Sequence, residues 1–172
     1  MHLNRDVFFQ KLQDSYEYYY NVIEQEPTEE VPLLLEADFH ARDEGYVLIK
    51  RAKIWSAESN EYVYVFSAPS IDRETAARCL DLALERGNAQ IVPHKEHKSS
   101  YIIAVFVADV IDPAAEREIC SRSYDISHKR GLYGWTTLKT VAVALEGEWI
   151  KTNKAGKNLK PFYKKLLRSE KV

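Results

Sequence analysis

Three of the five histidines of this chain stand in two short polar segments, Pro93-His94-Lys95-Glu96-His97-Lys98-Ser99-Ser100 and Ser127-His128-Lys129-Arg130-Gly131-Leu132-Tyr133-Gly134-Trp135. Imidazole changes charge near neutral pH and ligates metals, so these segments are where proton transfer, metal binding or recognition of a charged partner would be placed. In the first, His94, Glu96 and His97 fall within four positions, and a His-x-x-His pair can share an ion when the backbone is helical. Pro93 and the strand-like run beyond Ser100 favour a loop instead, and an ion held there would need a third ligand from elsewhere, such as His128 or His40. Solvated loop histidines among lysines account for the pattern more simply. Neither a tightly bound metal nor any other cofactor is expected.

A second constellation is Glu36, Asp38 and His40, spaced two apart in a segment where Leu35, Ala37, Phe39 and Ala41 alternate with them. On a strand this spacing sends all three polar side chains to one face, where a divalent cation or an acid–base pair could use them. The plainer reading is a solvated face of an antiparallel meander, with Lys50 and Lys53 pairing across strands. If the sheet is covered on both sides, the three must be paired internally and form a structural network.

Two glycine-bearing stretches, Gly131 to Trp135 and Asn153 to Lys157, adjoin basic residues. Gly156-Lys157 ahead of a helix is compatible with a phosphate cradle, but the first glycine and the Ser/Thr of a P-loop are missing, and ordinary turns explain both stretches. The tyrosines cluster at Tyr16, Tyr18, Tyr19 and Tyr20 and at Tyr46, Tyr62 and Tyr64, which reads as a core with polar tips.

The elements that must position these residues follow from periodicity. Phe8, Leu12, Tyr16, Tyr19 and Ile23 predict a helix over 5–25. Strands are expected over 33–42, 46–57 and 61–67 as a three-stranded meander, separated by Asp43-Glu44-Gly45 and Glu58-Ser59-Asn60. A helix over about 71–86 would take Ser70 as N-cap and Gly87 at the C′ position. Tyr101 to Ile111 is nearly all apolar and predicts a strand covered on both faces. Asp112-Pro113 opens a short helix to about Arg122, strands follow near 124–130, 136–145 and 148–152, and Leu159, Phe162, Tyr163, Leu166 and Leu167 form the apolar side of a last helix with its lysines outward. The order implies an α+β fold: a single mixed or mainly antiparallel sheet with an N-terminal helix, a strand meander and helices packed on the sheet.

With 172 residues, 45% hydrophobic and 29% charged, the chain fits one domain over 1–172 whose core needs no staples. Met1 to Asp14 lack the continuous apolar run of an export signal, no stretch approaches a membrane span, and Cys79 and Cys120 lie in helical patterns outside any Cys-x-x-Cys spacing. A soluble cytoplasmic protein with no membrane partner is expected. Net charge is −2, which does not favour nucleic acid as a partner. The charge is unevenly spread: residues 1–30 hold two basic and seven acidic residues, whereas residues 151–172 hold eight basic and one acidic. Opposite ends of that kind suit a head-to-tail contact, docking of the termini, or an anionic ligand at the tail, as well as two plain solvated faces.

Glu96-His97-Lys98 also reads as Glu-x-Lys, and the helix, three strands, helix, strand order resembles the core of the restriction-endonuclease-like superfamily over about two thirds of the chain. That resemblance implies an acidic residue and a Glu-x-Lys on the second and third core strands, holding magnesium beside the scissile phosphate. Here the third strand reads Glu61-Tyr62-Val63-Tyr64-Val65-Phe66 with no Glu-x-Lys, and Glu96-His97-Lys98 falls after the next helix, which argues against an active nuclease. Taken together, Pro93-His94-x-Glu96-His97-x-Ser99, Gly131-x-Tyr133-Gly134-Trp135 and Thr152-Asn153-Lys154-x-Gly156-Lys157 resemble a family of small bacterial proteins of unknown function, mostly from Gram-positive anaerobes, over nearly the whole chain. The resemblance implies a shared architecture for the two polar segments and brings no activity with it.

The reading that results is a non-catalytic binding or interaction domain, acting as a homodimer or with a protein partner. Its candidate ligand-binding residues are Glu36, Asp38, His40, His94, Glu96, His97, His128, Tyr133 and Trp135. The alternative is a metal-dependent hydrolase or degenerate nuclease-like enzyme, with Asp38 and Glu96 on the ion and His97 or Lys98 assisting proton transfer or stabilising developing charge. A second alternative is nucleic-acid binding through the lysine-rich end.

Overall fold

The computed structural model describes residues 4–40, 59–93 and 99–169. Helix α1 (Arg5–Glu17) begins where the Asn4 side chain accepts the Asp6 N–H at 2.8 Å, and it buries Phe8, Leu12 and Tyr16. It ends well short of residue 25, because the predicted face does not continue: Ile23 is 61% exposed, and Tyr20 rather than Tyr19 turns into the core. The β-branched pair Val22-Ile23 favours extended backbone, and Asn21–Glu24 forms strand β1, paired antiparallel with β2 (Leu33–His40).

Strand β2 pairs directly and antiparallel with β3 (Ser59–Ile71), with Ala37 opposite Val63. The first and third strands of the expected meander would instead flank a middle strand. The run assigned to that middle strand, Tyr46 to Ala57, and the pairing residues Lys50 and Lys53 lie outside the described residues. From β3 the chain passes through helix α2 (Arg73–Gln90) to β4 (Ser99–Ile111), through α3 (Pro113–Ser121) and short β5 (Asp125–Ser127) to β6 (Trp135–Ala144), then β7 (Trp149–Thr152) and α4 (Lys160–Ser169). Strands β3, β4 and β6 are parallel and central, β2 and β1 continue the sheet on one side, and the outer edge of β6 is shared by β5 and β7. The seven strands form one open mixed sheet with helices packed on it, an α+β arrangement as the element order implies.

Both faces are covered. Helices α2 and α3 seal one with Cys79, Leu80, Ala83 and Ile119 against Tyr64, Phe66, Ile102 and Phe106, while α1 and α4 seal the other with Phe8, Leu12, Tyr163 and Leu167 against Val65, Val105 and Val143. Strand β4 is sandwiched as its apolar run requires: every residue from Ile102 to Ala108 is 2% exposed or less. Two predicted boundaries differ. Ser70 and Ile71 remain in β3, paired with Val110 and Ile111, so the cap of α2 is Asp72, which accepts the Thr75 N–H at 2.8 Å. Gly87 lies inside α2 rather than beyond it, because a Cβ there would stand 2.6 Å from Ile102 Cγ1; the glycine lets the helix sit close on β4.

Candidate binding site

Strand β2 ends at His40, while β3, β4 and β6 begin at Ser59, Ser99 and Trp135, so one end of the sheet collects the polar β2 face, Ser99-Ser100 and the His128 segment. The register there is specific. His40 stands beside Asn60, Asn60 beside Ser100, and Ser100 beside Thr136, one polar residue from each of four adjacent strands. His40 Nδ1 lies 3.2 Å from Asn60 Oδ1, and at the other limit His128 Nε2 lies 2.7 Å from Thr136 Oγ1. A row of amide and hydroxyl groups is thus bounded by two half-buried imidazoles. With strands about 4.8 Å apart, His40 and Thr136 are separated by about 14 Å. Metal–nitrogen bonds are about 2 Å, so His40 and His128 cannot ligate the same ion. Among the described residues no three His, Cys, Asp or Glu side chains converge on a metal position. His94, Glu96, His97 and Lys98 lie outside the described residues.

The three acidic and imidazole positions of β2 separate in role. Both carboxylate oxygens of Glu36 are engaged, one by Arg86 of α2 at 2.9 Å and the other by Gln25 at 2.7 Å, so Glu36 belongs to the internal network that a doubly covered sheet demands. Its neighbour Tyr64 accepts a hydrogen bond from Gln90 Nε2 at 2.9 Å, and burial with the Glu36 charge pushes that hydroxyl's pKa up. Asp38 Oδ2 stands 3.6 Å from His40 Nε2, whereas Asp38 Oδ1 is buried without a hydrogen bond among the described residues. Asp38 also faces Tyr62, whose hydroxyl is pushed up by burial and then by that carboxylate. Of the β2 face, Asp38 and His40 remain chemically available.

The second polar segment is a compact loop. His128 N donates to Gly134 O at 2.8 Å and Tyr133 N to His128 O at 3.0 Å, closing the β5–β6 hairpin at Ser127 and Trp135. Inside it Lys129 and Arg130 hold φ of 47° and 55°, an uncommon conformation for side chains with a Cβ, flanked by Gly131 at 89°. The loop folds Tyr133 under Lys129, whose ammonium lies 3.2 Å from the hydroxyl, and leaves Leu132 76% and Trp135 50% exposed.

The opposite face of the same sheet end carries residues that periodicity did not single out. Glu61 accepts the Tyr20 hydroxyl at 2.9 Å, and buried Lys139 lies 4.0 Å over the Tyr101 ring and 3.3 Å from Asn158 Oδ1. Burial draws the Lys139 pKa down against the opposing pull of Glu61. The available signal was a lone lysine in the apolar run Leu138 to Ala144. Asn60 and Thr136 were likewise overlooked, each a small polar residue just ahead of an apolar strand, and Ser100 entered only as the end of the first polar segment.

Other candidates resolve into structure. Gly156 N donates to Asn153 Oδ1 at 2.8 Å, and a Cβ on Gly156 would meet Thr140 O at 2.7 Å, so the stretch weighed as a phosphate cradle is a turn pressed on β6. The far end of the sheet offers no nucleotide crevice: α2 and α3 lie on one face without a switch point, and Asp72 and Asp112 stand at their N-termini where an anion would bind. Hydrogen bonds from Thr75 hold the Asp72 carboxyl below its usual range. Tyr16, Tyr20 and Tyr64 are core residues with paired hydroxyls, as their clustering implies, whereas Tyr18 of the same cluster is 73% exposed and Tyr46 lies outside the described residues. Burial pushes the Cys79 thiol up to about 12 and raises that of Cys120, so neither is a ready nucleophile.

Fold and site define an α+β protein with a doubly covered mixed sheet and one polar sheet end. It belongs to the family described as a domain of unknown function (DUF8052), whose model matches residues 4–165. No curated protein and no solved structure matches the chain. No described helix is long and apolar enough to cross a membrane.

Proposed function

We propose that this chain is a non-catalytic binding domain that recognises a protein partner, a second copy of itself being the first to test, through the sheet end bounded by His40 and His128. The observation that carries the reading is the in-register row His40, Asn60, Ser100, Thr136, with His128 closing it, beside exposed Leu132 and Trp135. Ser100 and Thr136 are buried, so the groups that a partner would meet are the half-buried His40, Asn60 and His128, next to exposed Leu132 and Trp135, a composition in which apolar anchors supply energy and hydrogen bonds supply register. Catalysis is disfavoured because the hydroxyl that His128 approaches, that of Thr136, is fully buried and cannot meet a substrate. Free Cys79 and Cys120 suit a reducing bacterial cytoplasm.

Sedimentation velocity over a concentration series tests self-association, which Leu132→Ser/Trp135→Ser should abolish while the far-UV circular dichroism stays that of the folded chain. Thermal unfolding with EDTA, Mg²⁺, Mn²⁺ and Zn²⁺ tests the hydrolase alternative. A metal-dependent rise in melting temperature that disappears in Asp38→Ala would replace this reading with a metal-dependent enzyme.

A further inference from the structure

A second surface lies away from that sheet end. Lys157, Lys160, Lys164, Lys165 and Arg168, with Pro161, line an open groove of about 400 Å³ along α4 and the turn before it. No carboxylate lines the groove, and none of the five cations is in an ion pair with a described residue. Some cations elsewhere are neutralised: Arg86 meets Glu36, Arg122 meets Asp81 and Glu118, and Lys151 meets Glu116. Five unneutralised charges held side by side repel one another and favour an anionic ligand that carries several charges at a matching pitch.

We infer that the α4 groove binds the sugar–phosphate backbone of nucleic acid. Residues 157 to 168 extend over about 16 Å at about 1.5 Å per residue. One strand of a duplex presents a phosphate about every 3.4 Å along its axis, so the groove is as long as about half a turn and meets the two or more phosphates that face it. The lining contains no aromatic ring on which a base could stack, so the contact is to backbone and independent of sequence. Insertion into a bilayer is closed off, because the apolar side of α4, through Tyr163 and Leu167, is already buried on the core. The acidic stretch Glu24 to Glu30 belongs to the β1 edge of the sheet, while α4 lies between α1 and β7, so the densest acidic run is set apart from the basic groove. The whole-chain charge of −2 conceals this polarity.

The test is fluorescence anisotropy of the full chain with a labelled duplex of about twenty base pairs, with ionic strength raised from about 50 to about 200 mM. Binding is expected at low salt, with a log–log salt slope between about −2 and −4.5. Lys157→Gln/Lys164→Gln, both at exposed positions, should weaken binding about tenfold or more and reduce the slope by about two, while Arg117→Gln, exposed and outside the groove, leaves both unchanged. No binding at the lowest salt overturns the inference, as does binding that the double variant does not weaken. Binding to phosphatidylserine vesicles or to polyglutamate as tight as to the duplex also overturns it, in favour of a lipid or an acidic protein.

Discussion

Asn153 and Thr140 bond reciprocally: the Asn153 side-chain oxygen accepts the Thr140 backbone N–H at 3.1 Å, and the Thr140 hydroxyl accepts the Asn153 backbone N–H at 3.1 Å. The pair sits where β5 and β7 leave a gap on the edge of β6, between Thr137 and Val141. Asn153 also donates to the carbonyls of Leu138 and Arg122, both at 3.0 Å, so one buried carboxamide does the work of the absent strand. Asn153→Ala should therefore cost about 3 kcal/mol, read by urea denaturation, because it strands several buried backbone groups at once. A loss below about 1 kcal/mol would show that water or a shifted β7 replaces the side chain.

Gly87 opposes two effects of known sign. Alanine in a helix interior is favoured over glycine by about 1 kcal/mol, but its methyl would overlap buried Ile102. Overpacking in a core costs about 1–3 kcal/mol, so Gly87→Ala should lower the melting temperature despite the propensity gain.

Tyr16 and Tyr163 meet hydroxyl to hydroxyl at 2.5 Å inside the α1–α4 layer. Tyr163→Phe should cost about 1–2 kcal/mol by leaving the Tyr16 hydroxyl without this partner. In Tyr16→Phe/Tyr163→Phe the loss should fall short of the sum of the single losses, and a double-mutant cycle by chemical denaturation measures the difference.

Alkaline pH should destabilise the fold. The Cys79 thiol rises from 9.0 to about 12 on burial, so its contribution is fully present below pH 9 and is lost as pH climbs toward 12. Tyr62, Tyr64 and Tyr163 are raised above 10.0 by burial and act in the same sense at higher pH. Lys139 acts oppositely: burial lowers its pKa below 10.5, so folding is eased as pH rises through that window. Melting temperature followed from about pH 8 to pH 11 should fall, and fall less steeply in Cys79→Ala. A flat profile would mean that the thiol is ionised in the native state.

Thr136→Val removes the hydroxyl at the end of the polar row while keeping the shape of the side chain. The variant should lose about 1 kcal/mol, measured by chemical denaturation, because His128 Nε2 loses its contact with Thr136.

Local chemistry was legible without the fold. Strand β4 announces itself by an apolar run with no polar face, helix α4 by its apolar spacing, α3 by Asp112-Pro113, and the β2 face by its strict alternation, since each signal depends only on residues within a turn or two of one another. The unequal charge of the two ends was equally plain. Tertiary structure decided where α1 stops, because exposed Ile23 and buried Tyr20 are consequences of what lies opposite them. It decided that β2 pairs with β3, that Gly87 is a contact with Ile102 rather than a helix end, and that Glu36 is spent on Arg86. It alone aligned His40, Asn60, Ser100 and Thr136. These residues come from strands dozens of positions apart, and periodicity along one strand carries no information about its register against the next.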